Sequence, residues 1–250
     1  MAKMLALFLA FLVSGGMQNP GPSVTGARAS AVTNPYTFSQ YAYYVLSASS
    51  LASITSNSVT VSAGDFAFQA CRGASSPTSV AGSSAPASTV NALPIQYFSS
   101  GANASYLNTF WYPSLSAGAT TFTCTPSASE LYQSMTVIIY HHSGTPAILS
   151  ASTTHGSCTA VTSCTSTAFS TASTALVIDC ASEDGTSTWT AGLIGGSGSN
   201  LRGVDNTPVT SSSAALGCED IFFSSAQSSI TAAIGTAVSG DFGYTVAAFN

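Results

Sequence analysis

Residues 58–71 read SVTVSAGDFAFQAC. Val59 and Val61 alternate with hydroxyl residues, Gly64-Asp65 interrupts, and Phe66 and Phe68 resume the alternation. A side-chain period of two places successive residues on opposite faces of a strand. The stretch therefore reads as two β-strands joined through a turn or bulge. Similar short β-prone runs, separated by Gly, Pro, Ser and Asn, occupy residues 36–46, 105–112, 119–125, 134–142, 175–180, 186–194, 216–223 and 244–249. Helix signals are almost absent beyond the N-terminus. About ten such strands predict an all-β chain folded as an antiparallel two-sheet sandwich. Residues 74–89 and 153–174, rich in Ser with Pro or Thr, read as long loops. No clean internal repeat is visible, although 58–142 and 175–249 each look like a run of strands.

The composition bounds the function. Only 5% of the 250 residues are charged, against about 25% in ordinary soluble domains. Ser (45) and Thr (30) supply the hydrophilicity instead. Hydrophobic residues reach 45%, enough for a core and too many for a disordered chain. The net charge of -5, with Lys3, Arg28, Arg72 and Arg202 the only strong bases, excludes a nucleic-acid binder.

The N-terminus reads as a secretory signal over residues 1–29. Lys3 precedes the ten-residue apolar run MLALFLAFLV, too short to span a bilayer, and Ala27-Arg28-Ala29 offers a cleavage pattern. Behind it, residues 30–56 form an N-terminal segment, and 57–250 the sandwich domain. No second long apolar run follows, so the mature chain is expected to be extracellular or surface-bound without a membrane span. Cys71, Cys124, Cys158, Cys164, Cys180 and Cys218 then imply disulfides, with 15 pairings open. Cys158 and Cys164 bracket TAVTS and can close a short loop. Nesting would leave Cys71 with Cys124 and Cys180 with Cys218.

Catalytic signals are weak. Adjacent His141 and His142 point to opposite faces of a strand and do not converge on one metal, and His155 sits in an expected loop. Residues 195–199, GGSGS, carry Ser199 where a nucleophile elbow needs Gly. Asp179, Glu183 and Asp184, and the pair Glu219-Asp220, lack the calcium-loop pattern and read as solvated turns. No catalytic residue, metal or cofactor is expected. Trp111, Tyr112 and Trp189 are candidate glycan-stacking rings, and Asn103 opens the sequon Asn-Ala-Ser. Residues 36–50, apolar on both faces, can complete their own sheet or be donated to a neighbour's sheet edge.

Residues 58–73 (SVTVSAGDFAFQACRG), 110–129 (FWYPSLSAGATTFTCTPSAS) and 135–144 (MTVIIYHHSG) resemble a secreted β-sandwich module of bacterial surface and phage-tail-associated proteins. TALVIDCAS, TWTAG, LGCED and YTVAAF are similar to its second half, so the resemblance spans about 57–249. The chain departs from it at 140–144, where members often carry an acidic residue before the Tyr. The resemblance implies a jelly-roll-like sandwich with a non-catalytic binding or structural role. Two readings follow. One is a self-associating subunit of an extracellular filament, surface layer or tail-like fibre, joined through β-strand contacts. The other is a secreted carbohydrate-binding or adhesive module; a secreted hydrolase ranks third.

Overall fold

The computed structural model describes residues 32–47, 49–74, 91–94, 96–100, 103–126, 129, 131–183, 188–202 and 215–250. The expected signal segment, the 75–90 stretch and Asp184 lie outside them. Thr33–Asn250 form one compact unit. Its first half contains β1 (Tyr36–Ser47), β2 (Ile54–Thr55), β3 (Val59–Val61), β4 (Phe66–Ala74), β5 (Asn91–Ala92), β6 (Gln96–Ser100), β7 (Asn103–Tyr112), β8 (Gly118–Thr120), β9 (Thr123–Cys124) and β10 (Leu131–His142). The second contains β11 (Thr154–Thr165), β12 (Phe169–Thr171), β13 (Ala175–Glu183), β14 (Trp189–Ile194), β15 (Ser197–Gly198), β16 (Asn200–Arg202), β17 (Ala215–Phe223), β18 (Gln227–Ile230) and β19 (Ala232–Phe249). Every pairing is antiparallel. Among the described residues the only helical element is a single 3-10 turn at Ser150–Ser152, and no helix is long and apolar enough to cross a membrane.

The two largest sheets share one core. The first has the order β1-β10-β4-β7-β5, and the second contains β11-β19-β13-β17-β16. Phe66, Phe68, Trp111 and Ile138 of the first share one core with Leu176, Ile178, Leu216 and Phe249 of the second. The outer face of the first sheet is closed by the small pairs β2-β9 and β3-β8, over Val59, Phe122 and Met135. The outer face of the second is closed by β12-β18 and β14, over Phe169, Trp189 and Phe242. The three layers require central strands such as β13 to be buried on both faces.

Five strands of each sheet follow the same order, and the repeat extends to single residues. Residues 54–61 (ITSNSVTV) and 164–171 (CTSTAFST) have an identical sequence of buried and exposed positions. Ser56 donates its N–H to Phe122 O at 2.8 Å, and its Oγ accepts from Phe122 N at 3.0 Å. Ser166 does the same with Ala232, at 2.8 Å and 3.0 Å. Ser56 thus extends the β2–β9 ladder by one step, and Ser166 extends the β11–β19 ladder in the same way. Ser56→Ala or Ser166→Ala strands a buried N–H and is expected to cost about 1 kcal/mol. Denaturant titration of each variant checks this, and an unchanged midpoint in both would refute the equivalence.

The repeat corrects the sequence reading, as does β11, because residues 153–174 are mostly strand rather than loop. β1 also pairs within its own sheet, from Tyr36 opposite His142 to Ser47 opposite Gln133. The main-chain N–H and C=O of Tyr43 are taken by Asn57, at 2.8 and 3.0 Å. Asn34 Oδ1 likewise accepts the Tyr36 N–H. Side chains that cap an edge oppose its pairing with another chain, and of the two roles open to residues 36–50, β1 takes the completion of its own sheet. The six cysteines form Cys71–Cys124, Cys158–Cys164 and Cys180–Cys218.

Candidate functional site

At one seam, where edge strand β1 meets edge strand β16, a crevice of about 270 Å3 opens between the main sheets. Asp220, on the inner face of β17, is 3% exposed and organises it. Its Oδ2 accepts the Tyr140 hydroxyl at 2.5 Å and Arg202 Nε at 2.9 Å. Its Oδ1 accepts Asn200 Nδ2 at 3.0 Å and Arg202 Nη2 at 3.4 Å. The Arg202 guanidinium carbon lies 4.2 Å from the centroid of the Phe38 ring, a cation–π contact. Tyr36 lines the wall and donates its hydroxyl to Asn250 O at 2.7 Å; Asn34 completes the rim. Burial pushes the Tyr140 phenol well above its ordinary value, and the Asp220 charge and hydrogen bond push it further. Tyr140 is therefore a proton donor to Asp220 throughout the physiological range. Strand pairing and the contacts to Asp220 together position Asn200 and Arg202.

The counterpart seam is built differently. Register places Trp111 opposite Phe68 and Asp220 opposite Ile178, so the two occupy equivalent positions in the halves. Leu93 likewise corresponds to Arg202, and Phe249 to Tyr140. At that seam Trp111, Leu93, Phe66 and Phe249 are packed into the central core. Asp220 and Arg202 thus replace a packed apolar plug with a polar, open crevice.

The three rings expected to stack on glycans do not reach solvent. Trp111 (9% exposed) packs edge-on against Phe249 with centroids 5.4 Å apart. Tyr112 is fully buried and donates to Gln69 Oε1 at 2.5 Å. Trp189 (3%) covers Gly217, where an added Cβ would lie 2.6 Å from the ring. Inward-facing strand positions and a satisfied polar tip explain the burial of Tyr112. Exposed aromatic surface comes instead from Tyr41 (46%) and Tyr43 (40%) on β1. The side chain of Asn103 lies outside the described residues.

The acidic residues also depart from expectation. Asp179, Glu183 and Glu219 are buried in strands rather than solvated in turns. Asp179 and Glu219 are cross-strand neighbours on β13 and β17. Burial raises both carboxyls, and the Glu219 charge raises Asp179 further; the hydrogen bonds from Ser199 and Gly192 partly offset the rise at Glu219. Glu219 Oε2 accepts Ser199 Oγ at 2.6 Å and Gly192 N at 2.7 Å, fixing the hairpin that leads into β16. Neighbouring carboxylates on opposite faces of β17 therefore hold this segment, Glu219 from outside and Asp220 from inside. The signal was present in LGCEDIFF, where two acids interrupt an apolar strand run.

His141 Nδ1 pairs with Asp65 Oδ1 at 2.6 Å at the end of β10, with the His141 side chain half exposed. His142 packs on the Tyr36 ring, and neither of its ring nitrogens has a hydrogen-bond partner. His155 lies on β11, away from both in the chain and exposed. No group of three metal-ligating side chains occurs among the described residues. No protein-family model, curated protein or solved structure matches the chain.

Proposed function

We propose that this chain is an extracellular, non-catalytic β-sandwich module that binds a small, uncharged polar ligand in the β1–β16 crevice. The observation that carries the reading is the substitution of Asp220 and Arg202 for the apolar plug of the equivalent seam. Burying the Asp220 carboxylate, with Arg202 only partly covered, costs desolvation, so its presence calls for a use. The crevice combines an aromatic wall, Phe38, with amide and guanidinium groups from Asn34, Asn200 and Arg202, the usual make-up of a pre-formed ligand site. The Asp220 charge balances Arg202 and favours a neutral ligand. Three disulfides support an oxidising, extracellular setting. The capped β1 edge weighs against assembly of filaments through that strand.

The test is an NMR titration of the full chain with glucose, galactose, mannose and N-acetylglucosamine. At least one sugar is expected to shift the amides of Phe38, Arg202 and Asp220. Arg202→Lys, which cannot keep both contacts to Asp220, is expected to weaken that binding about tenfold or more while the thermal unfolding curve stays cooperative. Silence from all four sugars at those amides would overturn the reading.

A further inference from the structure

We infer that the ligand is a linear, uncharged glycan chain that runs out of the crevice along β1 and stacks on Tyr41 and Tyr43. This rests on the crevice being a saccharide site and extends it to a second, outer subsite. Phe38 is paired with Tyr140 and Tyr41 with Ile138. Both partners belong to the core between the main sheets, and cross-strand partners share a face. Phe38 and Tyr41 therefore lie on one face although three residues apart. The irregularity between Phe38 and Gln40 makes this possible, since a bulge shifts the alternation by one. Tyr43, two residues on and opposite Thr136, shares that face. The result is a row of rings from the crevice to open solvent, spanning on the order of 15 Å at the rise of a strand.

The outer two rings are matched to one another. Their centroids are 5.8 Å apart and their planes differ by 39°. No charged residue lies in β1 (YTFSQYAYYVLS), so nothing there selects an ionic ligand. A peptide strand is disfavoured as occupant, because it would need main-chain groups that Asn34 and Asn57 already hold. Ring faces remain as the binding surface. Amphipathic rings of this kind suit a partner with one apolar face and polar edges, which describes successive sugar rings in a linear chain.

The experiment is a calorimetric titration of the full chain with linear gluco-, manno- and N-acetylgluco-oligosaccharides of increasing length, from the monosaccharide upward. Affinity for one series is expected to rise about tenfold or more between the monosaccharide and the longer oligomers. Tyr41→Ala with Tyr43→Ala is expected to abolish that gain and leave monosaccharide affinity unchanged; both rings are exposed, so the fold is preserved. If a monosaccharide binds but length adds nothing, or if the double variant keeps the gain, the outer subsite is refuted and the crevice reading stands. If no monosaccharide binds, the crevice reading itself fails, whatever the oligomers do.

Discussion

Replacing Asp179 by Asn is expected to stabilise the protein at neutral pH, because burial and a neighbouring carboxylate both disfavour the charged form that Asn cannot adopt. Asp179 is 1% exposed on the outer face of β13. Glu219 faces it from β17 and Glu183 lies on the same face of its own strand, whereas β19 contributes Val246 opposite it and Tyr244 nearby. Burial and the Glu219 charge both disfavour its ionised form. A raised carboxyl binds its proton more tightly in the folded than in the unfolded chain. Its favourable contribution is therefore complete below the ordinary carboxylate range and is lost as pH rises through the raised value. Glu219, also raised, acts in the same direction. The wild type is thus expected to become more stable between pH 7 and pH 5, and Asp179→Asn to gain less over that interval. Urea unfolding at the two pH values separates the cases. A wild type that loses stability on acidification, with a variant no more stable at pH 7, would contradict the assignment.

Removing the Cys71–Cys124 bridge by alanine at both positions is expected to cost about 4 kcal/mol, and removing Cys158–Cys164 about 2 kcal/mol, from the entropy of the loop each closes. The bridges span 53 and 6 residues. The first also joins different layers, since Cys71 lies on β4 of a main sheet and Cys124 on β9 of the small sheet above it. Both sulfurs are buried in the core that those layers share. The second lies within β11 and links residues already held by β19. Guanidinium denaturation of the two double variants measures both, and a larger loss for the 158–164 variant would reverse the ranking.

Much of the strand inventory was legible because central strands alternate, or are wholly apolar, as in 66–71 and 134–140. β11 was not, because it is an edge strand exposed along much of both faces. Ser and Thr suffice there, and the stretch resembles a loop. The repeat was hidden for a related reason. Its equivalent positions exchange Ile54 for Cys164 and Val61 for Thr171, preserving burial but not identity. The site was misplaced because aromatic rings were expected outside and carboxylates in turns. Trp111 and Tyr112 are interior residues of a central strand. Asp220 tolerates burial because four hydrogen bonds from Tyr140, Asn200 and Arg202 meet its two oxygens.

The two halves repeat one strand order within a single polypeptide. Two separate copies meeting about a two-fold axis would have to make both seams alike. Every change that opened one would open the other, and the loss of apolar packing would be doubled. Fusion removes that constraint. One seam, with Trp111, Leu93 and Phe249, is left to clamp the halves together. The other can give up its plug, at a local cost in cohesion, and present Arg202 and Asp220 to whatever the molecule meets.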